Sequence, residues 1–325
     1  MIALPDNDTL FICTYDNLQP FLTYFDDKGI HWREIARQYH IPEHSLDSGH
    51  WLPTRNTLAF LAKLFLSTTE PVGINVGESL TLSHFPQLDK ALKDVYCLEK
   101  AVDIYVEISQ SAFSSHLHIW TEKYQNQWLL CHRSAFPSTM PGFNQIEWYR
   151  TLGLLTLCRH YLGANWQPET LWMSMPQYLA LSCPEALKHT DIIFGQPFGG
   201  IPLPFAEDYE PMQNHLERFD WLTKVKALIT TYATLPRFSV FWFSQMIGMS
   251  SRTLQRRLRE QGTSLSRLRG IARCEKAKLL LTSTDLPVLE VGHLCGYTDL
   301  SNFNRAFRSW SGMTAPQYRH SLAST

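Results

Sequence analysis

Hydrophobic residues change their spacing along this chain, and each change predicts a different element. Up to residue 66 they recur at helical intervals, through Phe21, Leu22 and Phe25, then Ile35 and Ala36, then Leu58, Leu61, Leu64 and Phe65. Asp16 or Asn17, and Asp47, stand where helix caps are expected. Alternation over residues 104–108 and 116–120, with the apolar run at 128–130, predicts strands. Helical spacing returns at about residues 148–161 and again at about 175–188. Residues 191–198 read as a strand entering a Gly/Pro-rich stretch at 199–204, and acidic residues around Pro211 mark a linker. The pattern predicts an α+β domain over residues 1–206, a linker over 207–218 and an all-α domain over 219–325.

The all-α part is more regular. Trp221, Leu222, Val225, Leu228 and Ile229 give one helix a single apolar face. Ser239 caps a short helix that ends at the turn glycine Gly248, and Ser250 caps the next, which ends at Gly262. Ser264 opens a long connecting helix to about Leu281. Asp285 and Pro287 open a further helix ending near Gly296. Thr298 or Asp299 caps another, closed by Gly312, and Pro316 begins the last. Two segments repeat one plan: a turn glycine, a polar cap, and a helix with apolar residues four apart, Leu254 and Leu258 in one copy, Phe303 and Phe307 in the other. That is the sequence form of two helix-turn-helix units joined by a linker helix.

The outward stripes of the two repeated helices carry the chemistry. Arg252, Gln255, Arg256 and Arg259 fall on one side of the first. Ser301, Asn304, Arg305 and Arg308 fall on one side of the second, opposite Phe303, Ala306, Phe307 and Trp310. Arginine bonds guanine in bidentate fashion, and Gln or Asn bonds adenine. One such stripe is as well read as a solvated face, whereas two matched stripes favour a nucleic-acid reader.

Charge sharpens this. The net charge of -1 conceals a split. Residues 237–325 hold 13 Lys+Arg against 5 Asp+Glu, a balance of +8, and residues 1–236 hold 16 against 25, a balance of -9. Duplex DNA attracts the basic part and repels the acidic one. The 7 cysteines are scattered without a paired motif, no apolar run reaches a membrane span, and the N-terminus does not read as a signal peptide. A cytoplasmic location is expected.

On these residues the chain resembles a known family. Residues 219–325 are similar to the DNA-binding domain of AraC/XylS-type transcription regulators, through Gly248-Met249-Ser250, Leu254-Gln255-Arg256, Gly262-Thr263-Ser264, Arg273, Ala277, Glu290-Val291, Gly296-Tyr297, Phe303, Arg305, Phe307 and Gly312-Met313-Thr314. The resemblance implies two reading helices in successive major grooves. Carried over by position, base readers are Arg252, Gln255, Arg256, Ser301, Asn302 and Arg305, with Arg259, Arg308 and Asn304 on the DNA backbone. Ser244 and Gly292 stand where the pattern usually has Ala, which is expected to loosen packing slightly. Pro316 is one place late. Residues 1–205 resemble, less specifically, the arabinose-binding-type N-terminal domain of one branch of that family, through Gly29-Ile30, Ile41-Pro42, Pro71-Val72-Gly73 and Phe194-Gly195. That implies a small-molecule effector and a homodimer, with RNA polymerase as a further partner.

Other signals are weaker. Residues 34–42 also look like the opening of a helix-turn-helix, but Arg55 is the one basic residue the next helix would offer, so a structural helix pair is favoured. His116 and His118 alternate without a third metal ligand, and Cys131-His132 lacks a supporting Asp or Asn. Trp120, Trp128, Trp148, Trp166 and Trp172 are candidates to line a ligand pocket, though core roles are commoner. No phosphate-binding, dinucleotide-binding or hydrolase motif is present, so neither a cofactor nor catalysis is expected. Two alternatives stay open: an effector-independent regulator whose first domain only assembles the protein, and an enzymatic first domain fused to a DNA-binding module.

Overall fold

The computed structural model describes residues 9–44, 46–180, 182–212 and 219–323, with residues 322 and 323 described by backbone alone. The chain forms two compact units, Met1–Phe219 and Asp220–Thr325. Unit 1 runs β1 (Ile12–Thr14), α1 (Gln19–Asp27), α2 (Arg33–Gln38), β2 (Trp51–Pro53), α3 (Thr54–Phe65), α4 (Val72–Glu78), α5 (Pro86–Leu92), α6 (Leu98–Ala112), β3 (Leu117–Tyr124), β4 (Gln127–Ser134), α7 (Phe143–Leu162), β5 (Thr170–Trp172), β6 (Asp191–Ile193) and β7 (Gly199–Leu203). Strands β1 and β2 form a small antiparallel pair. The other five make one sheet in the order β3-β4-β7-β5-β6, antiparallel except for β5 with β6. Unit 2 is all helix: α8 (Trp221–Tyr232), α9 (Val240–Met246), α10 (Ser251–Glu260), α11 (Leu265–Ser283), α12 (Val288–Leu294), α13 (Leu300–Ser311) and α14 (Ala315–Ala323). The fold class is therefore α+β followed by all-α, as the hydrophobic pattern predicts.

Helix α7 is the centre of unit 1. Trp148, Leu152, Leu154, Leu155 and Leu157 are buried, and so are the polar Gln145, Glu147, Arg150 and Thr151. A helix buried on nearly all sides must satisfy its polar groups internally. Glu147 accepts from Ser174 N (2.7 Å), Ser174 Oγ (2.6 Å) and Met175 N (2.8 Å). Gln145 Oε1 accepts from Gly73 N at 2.7 Å. A Cβ on Gly73 would stand 1.9 Å from the Gln145 carbonyl oxygen, so glycine is what lets α4 lie against α7.

Several local expectations fail, for identifiable reasons. Residues 104–108 are not a strand but part of α6, because Leu98, Ala101, Val102, Val106, Ser109 and Ala112 bury one helical face. No helix spans 175–188. Pro176 and Pro184 each start a single 3₁₀ turn, at Gln177–Leu179 and Glu185–Leu187, and proline denies the donors a longer helix needs. Leu181 lies outside the described residues. The predicted strand at 191–198 is only the short β6, while the Gly/Pro-rich stretch is a fully buried strand, β7, between β4 and β5. Strand β5 meets β7 only at Trp172 and Gly200, so Pro202 lies past the end of that ladder.

The expected caps in unit 1 are also elsewhere. Asp16 accepts from Ser48 Oγ (2.9 Å) and Gly49 N (3.4 Å) instead of capping α1. Asp47 bonds through its backbone carbonyl to His50 Nδ1. The candidate third helix-turn-helix is interrupted, since β2 intervenes between α2 and α3 and pairs with β1. Its Arg33 and Arg37 are held by Asp26 and Glu43. Residues 207–212 are held against unit 1. Tyr209 donates to Asp103 at 2.6 Å and packs edge-on to Trp128, and Lys123 donates to the Glu207 carbonyl at 3.2 Å. The remaining linker residues, Glu217 among them, lie outside the described residues.

Candidate nucleic-acid interface and ligand cavity

Local chemistry sets most helix starts of unit 2. Asp220, Ser239, Ser250, Ser264 and Asp299 each accept a hydrogen bond from the backbone N–H three residues on, which fixes the starts of α8, α9, α10, α11 and α13. Capping holds the Asp299 carboxyl below its usual range, chiefly through the Asn302 N–H. Gly248 and Gly296 take φ of +72° and +79°, the left-handed conformation each turn requires between its two helices. The helix pairs α9–α10 and α12–α13 are thus the same motif built twice.

The long helix α11 ties the two motifs together with arginines that the charge count alone would assign to DNA. Arg269 donates to the carbonyls of Ala233 (2.8 Å), Leu235 (3.0 Å) and Phe238 (3.2 Å). Arg273 donates to Ala233 (2.9 Å) and Gly296 (3.0 Å) and stacks over Tyr297. Arg319 likewise bonds the Leu286 carbonyl at 2.7 Å. Burial, then Arg273, pushes Arg269 down to about 10, still cationic at neutral pH. These residues satisfy orphan carbonyls near helix ends.

The outward arginines differ. Leu254 and Leu258 are buried beneath α10, and Phe303 and Phe307 beneath α13. On the opposite sides Arg252, Gln255, Arg259, Ser301, Arg305 and Arg308 are exposed. The side chains of Arg252, Gln255, Arg259, Arg305 and Arg308 make no hydrogen bond or ion pair with any described residue. Arg256 pairs with Glu260 at 3.4 Å, an exposed contact of small worth. Asn302 Nδ2 donates to the cap carboxylate of Asp299. Asn304 is half-buried, and its Oδ1 is enclosed without a partner.

Three expectations for unit 2 need correction. Trp310 is 40 % exposed and lies across Gly270 of α11 instead of joining the buried stripe. Ser244 does not loosen the scaffold. It is buried, and its Oγ lies 2.9 Å from Ser251 Oγ, linking α9 to α10. Gly292 does not leave a gap either. A Cβ there would stand 3.2 Å from the Phe303 ring, so glycine lets α12 and α13 close on that ring.

Unit 1 holds a cavity of about 90 Å³. It lies among α1, α3, α6 and α7, with Phe21, Leu61, Tyr105, Phe113, His116 and Arg150 among its walls. None of the five candidate tryptophans lines it: Trp148 is in the core, and Trp120 and Trp172 both pack on Phe198. Arg150 Nη1 donates to His132 Nδ1 at 3.3 Å. With Nδ1 accepting, His132 Nε2 carries the proton and donates to Thr151 Oγ1 at 3.2 Å, whose hydroxyl reaches Met173 Sδ at 3.7 Å. Burial, then Arg150, holds His132 well below the ordinary imidazole value and pushes His116 down to about 3. Sequence reasoning missed this site. Its one local signal is a charge, Arg150, inside an apolar helical run.

Comparison with known proteins bears on unit 2. A family model described as a helix-turn-helix domain matches residues 243–321. The HTH-type transcriptional regulator VqsM of Pseudomonas aeruginosa is 32% identical over 79 residues, 24% of this chain and 24% of that protein. The ornithine utilization regulator of the same organism is 41% identical over 70 residues, 22% of this chain and 21% of that protein. The C-terminal domain of AraT, a response regulator from Geobacillus stearothermophilus, is similar at 28% identity and a TM-score of 0.29, covering 30% of this chain and 82% of that one. The chain spans about a quarter of the length of these two curated relatives. Among the described residues, no helix is long and apolar enough to cross a membrane. With two helix pairs of matching design and this family match, residues 243–321 form a helix-turn-helix domain.

Proposed function

We propose that the protein is a sequence-specific, DNA-binding transcription regulator controlled by a small-molecule effector. The observation that carries this is the pair of capped helices whose outward Arg252, Arg259, Arg305 and Arg308 have no partner among the described residues. In this reading Arg252, Gln255 and Arg256 of α10, with Ser301, Asn302 and Arg305 of α13, contact bases in the major groove. Arg259, Arg308 and Asn304 position the domain on phosphates. Unit 1 senses the effector and assembles a homodimer, residues 207–218 join the units, and RNA polymerase is the downstream partner.

The cavity favours an effector-responsive unit 1 over one that only assembles the protein. Its titratable groups favour binding over catalysis. Burial pushes the Cys13 thiol up to about 11 and the Tyr105 and Tyr149 hydroxyls higher still, while His116 falls to about 3. Acid–base catalysis works best with a group poised near neutrality.

The test is selection of binding sites from random duplex DNA by the full chain, followed by fluorescence anisotropy on the selected site. The expected result is a discrete consensus in two parts about one helical turn apart, ~10 bp. Recovery of unenriched sequence would overturn the reading.

A further inference from the structure

The cavity of unit 1 is lined by a guanidinium that no carboxylate touches, the buried Glu147 carboxylate favouring its charge only at a distance. Arg150 is 9 % exposed, and a guanidinium stays protonated in proteins. No carboxylate among the described residues lies within ion-pair distance of it. Glu147, one turn earlier on α7, has both oxygens taken by Ser174 and Met175. Among the described residues the guanidinium's one hydrogen bond goes to His132, a neutral ring. The remaining walls are largely apolar, Phe21, Leu61, Phe85 and Phe113 among them. A buried guanidinium with no carboxylate in direct contact and most of its five donors unused is unfavourable, and an anionic ligand would supply the missing partner.

We propose that this cavity binds a small carboxylate with an apolar body, its anionic head on the Arg150 guanidinium and its body against the aromatic and aliphatic walls. The inference rests on the reading of unit 1 as the effector-sensing unit and gives that effector a chemical class. One guanidinium balances one negative charge. A phosphate monoester carries about -1.5 to -2 at neutral pH and would leave the excess unpaired in an apolar site. The cavity, at about 90 Å³, is smaller than the ~150 Å³ space known to admit benzene, which points to a short ligand. Guanidinium and carboxylate match as planar, bidentate partners.

The experiment uses the full chain without DNA and follows thermal unfolding with butanoate, hexanoate and octanoate, each beside its uncharged amide. A ligand that binds only the folded state raises the midpoint in proportion to its affinity. The acids should stabilise, the amides should not, and affinity should favour acid over amide by about tenfold or more. Arg150→Met keeps the volume and removes the charge, and it should abolish that preference. Should Arg150→Met fail to fold, the acid and amide comparison on the unaltered chain decides alone. Equal response to acid and amide overturns the proposal, as does response to neither, and an acid preference retained in Arg150→Met removes Arg150 from it. A chain that binds hexanoate yet shows no affinity for its selected DNA would overturn the regulator reading and leave the carboxylate site standing.

Discussion

Helices α10 and α13 share a cap, a turn glycine and two buried residues four apart, yet they engage their polar side chains differently. Beneath α10 lie Leu254 and Leu258, and its outward Arg252, Gln255 and Arg259 reach into solvent unbound. Beneath α13 lie two aromatic rings, Phe303 and Phe307, which also pack on Tyr297 and Tyr318. On its outward side Asn302 is bound to Asp299 and the Asn304 oxygen is enclosed. Each helix carries two outward arginines unpaired among the described residues, and the second also has Asn302 bound and Asn304 enclosed. Phosphate contacts position a reader and base contacts specify its site. The difference between the two helices lies in the packing beneath the outward face, aliphatic in α10 and aromatic in α13.

The strongest way to break this comparison is to hollow the second helix. Phe303→Ala should destabilise unit 2 by about 3–5 kcal/mol, and Leu254→Ala by about 2–5 kcal/mol. Urea unfolding of the full chain measures both. A cost for Phe303→Ala well below that for Leu254→Ala would mean α13 is not the more firmly built.

The next test sits on the outward faces. Arg256→Ala and Arg305→Ala should each lose about 1–3 kcal/mol on the selected site and relax preference at one base position. Titrations against selected and scrambled duplexes separate the two roles, and equal losses on both would mark phosphate contacts instead.

A third test asks whether unit 1 is the acid-sensitive half. His132 is fully buried and neutral in the fold, with its pKa depressed. The unfolded chain therefore binds a proton near the ordinary pKa of ~6.5 that the folded chain refuses. Stability is fully present above that pH and falls by about 1.4 kcal/mol per pH unit below it for this residue alone. Thermal unfolding between pH 7.5 and pH 5 (a range chosen to bracket ~6.5) should show the transition of unit 1 moving down before that of unit 2. The reverse order would place the sensitivity elsewhere.

The smallest expected effect sharpens the role of Arg256. Glu260→Ala releases it from an exposed ion pair, which should change DNA affinity by at most about 1 kcal/mol, in the direction of tighter binding. Weaker binding would show that Glu260 orients Arg256 for its contact.

Most of unit 2 is legible in the sequence because its determinants are local. Ser239, Ser250, Ser264 and Asp299 act within three residues of themselves, and Gly248 and Gly296 carry a backbone conformation that favours glycine. Where tertiary contacts decide, the pattern misleads. Residues 104–108 alternate like a strand, but the burial of Val102, Val106 and Ser109 belongs to a helix. Glycine and proline at 199–204 look like a loop, yet β4 on one side makes them a strand. Trp310 has the spacing of a core residue, and its position over Gly270 depends on a helix some forty residues earlier in the chain. The cavity is the least legible feature. Arg150 is visible, but the emptiness beside it is made by α1, α3 and α6, whose placement no short window of sequence records.

The arginines of α11 have a consequence for any DNA this domain reads. Arg273 holds the carbonyl of Ala233, at the end of α8, and that of Gly296, in the turn of the second motif, in one grip, while Arg269 clamps the loop before the first. The distance and the angle between the two motifs are therefore properties of the protein and not of the DNA. B-form DNA turns by about 35° for every base pair, from 10–10.5 bp per turn. A single base inserted between the two half-sequences would rotate one of them out of phase with a reader that has no hinge to follow it. Spacing would become part of the recognised message, written by two half-buried arginines bound to backbone carbonyls.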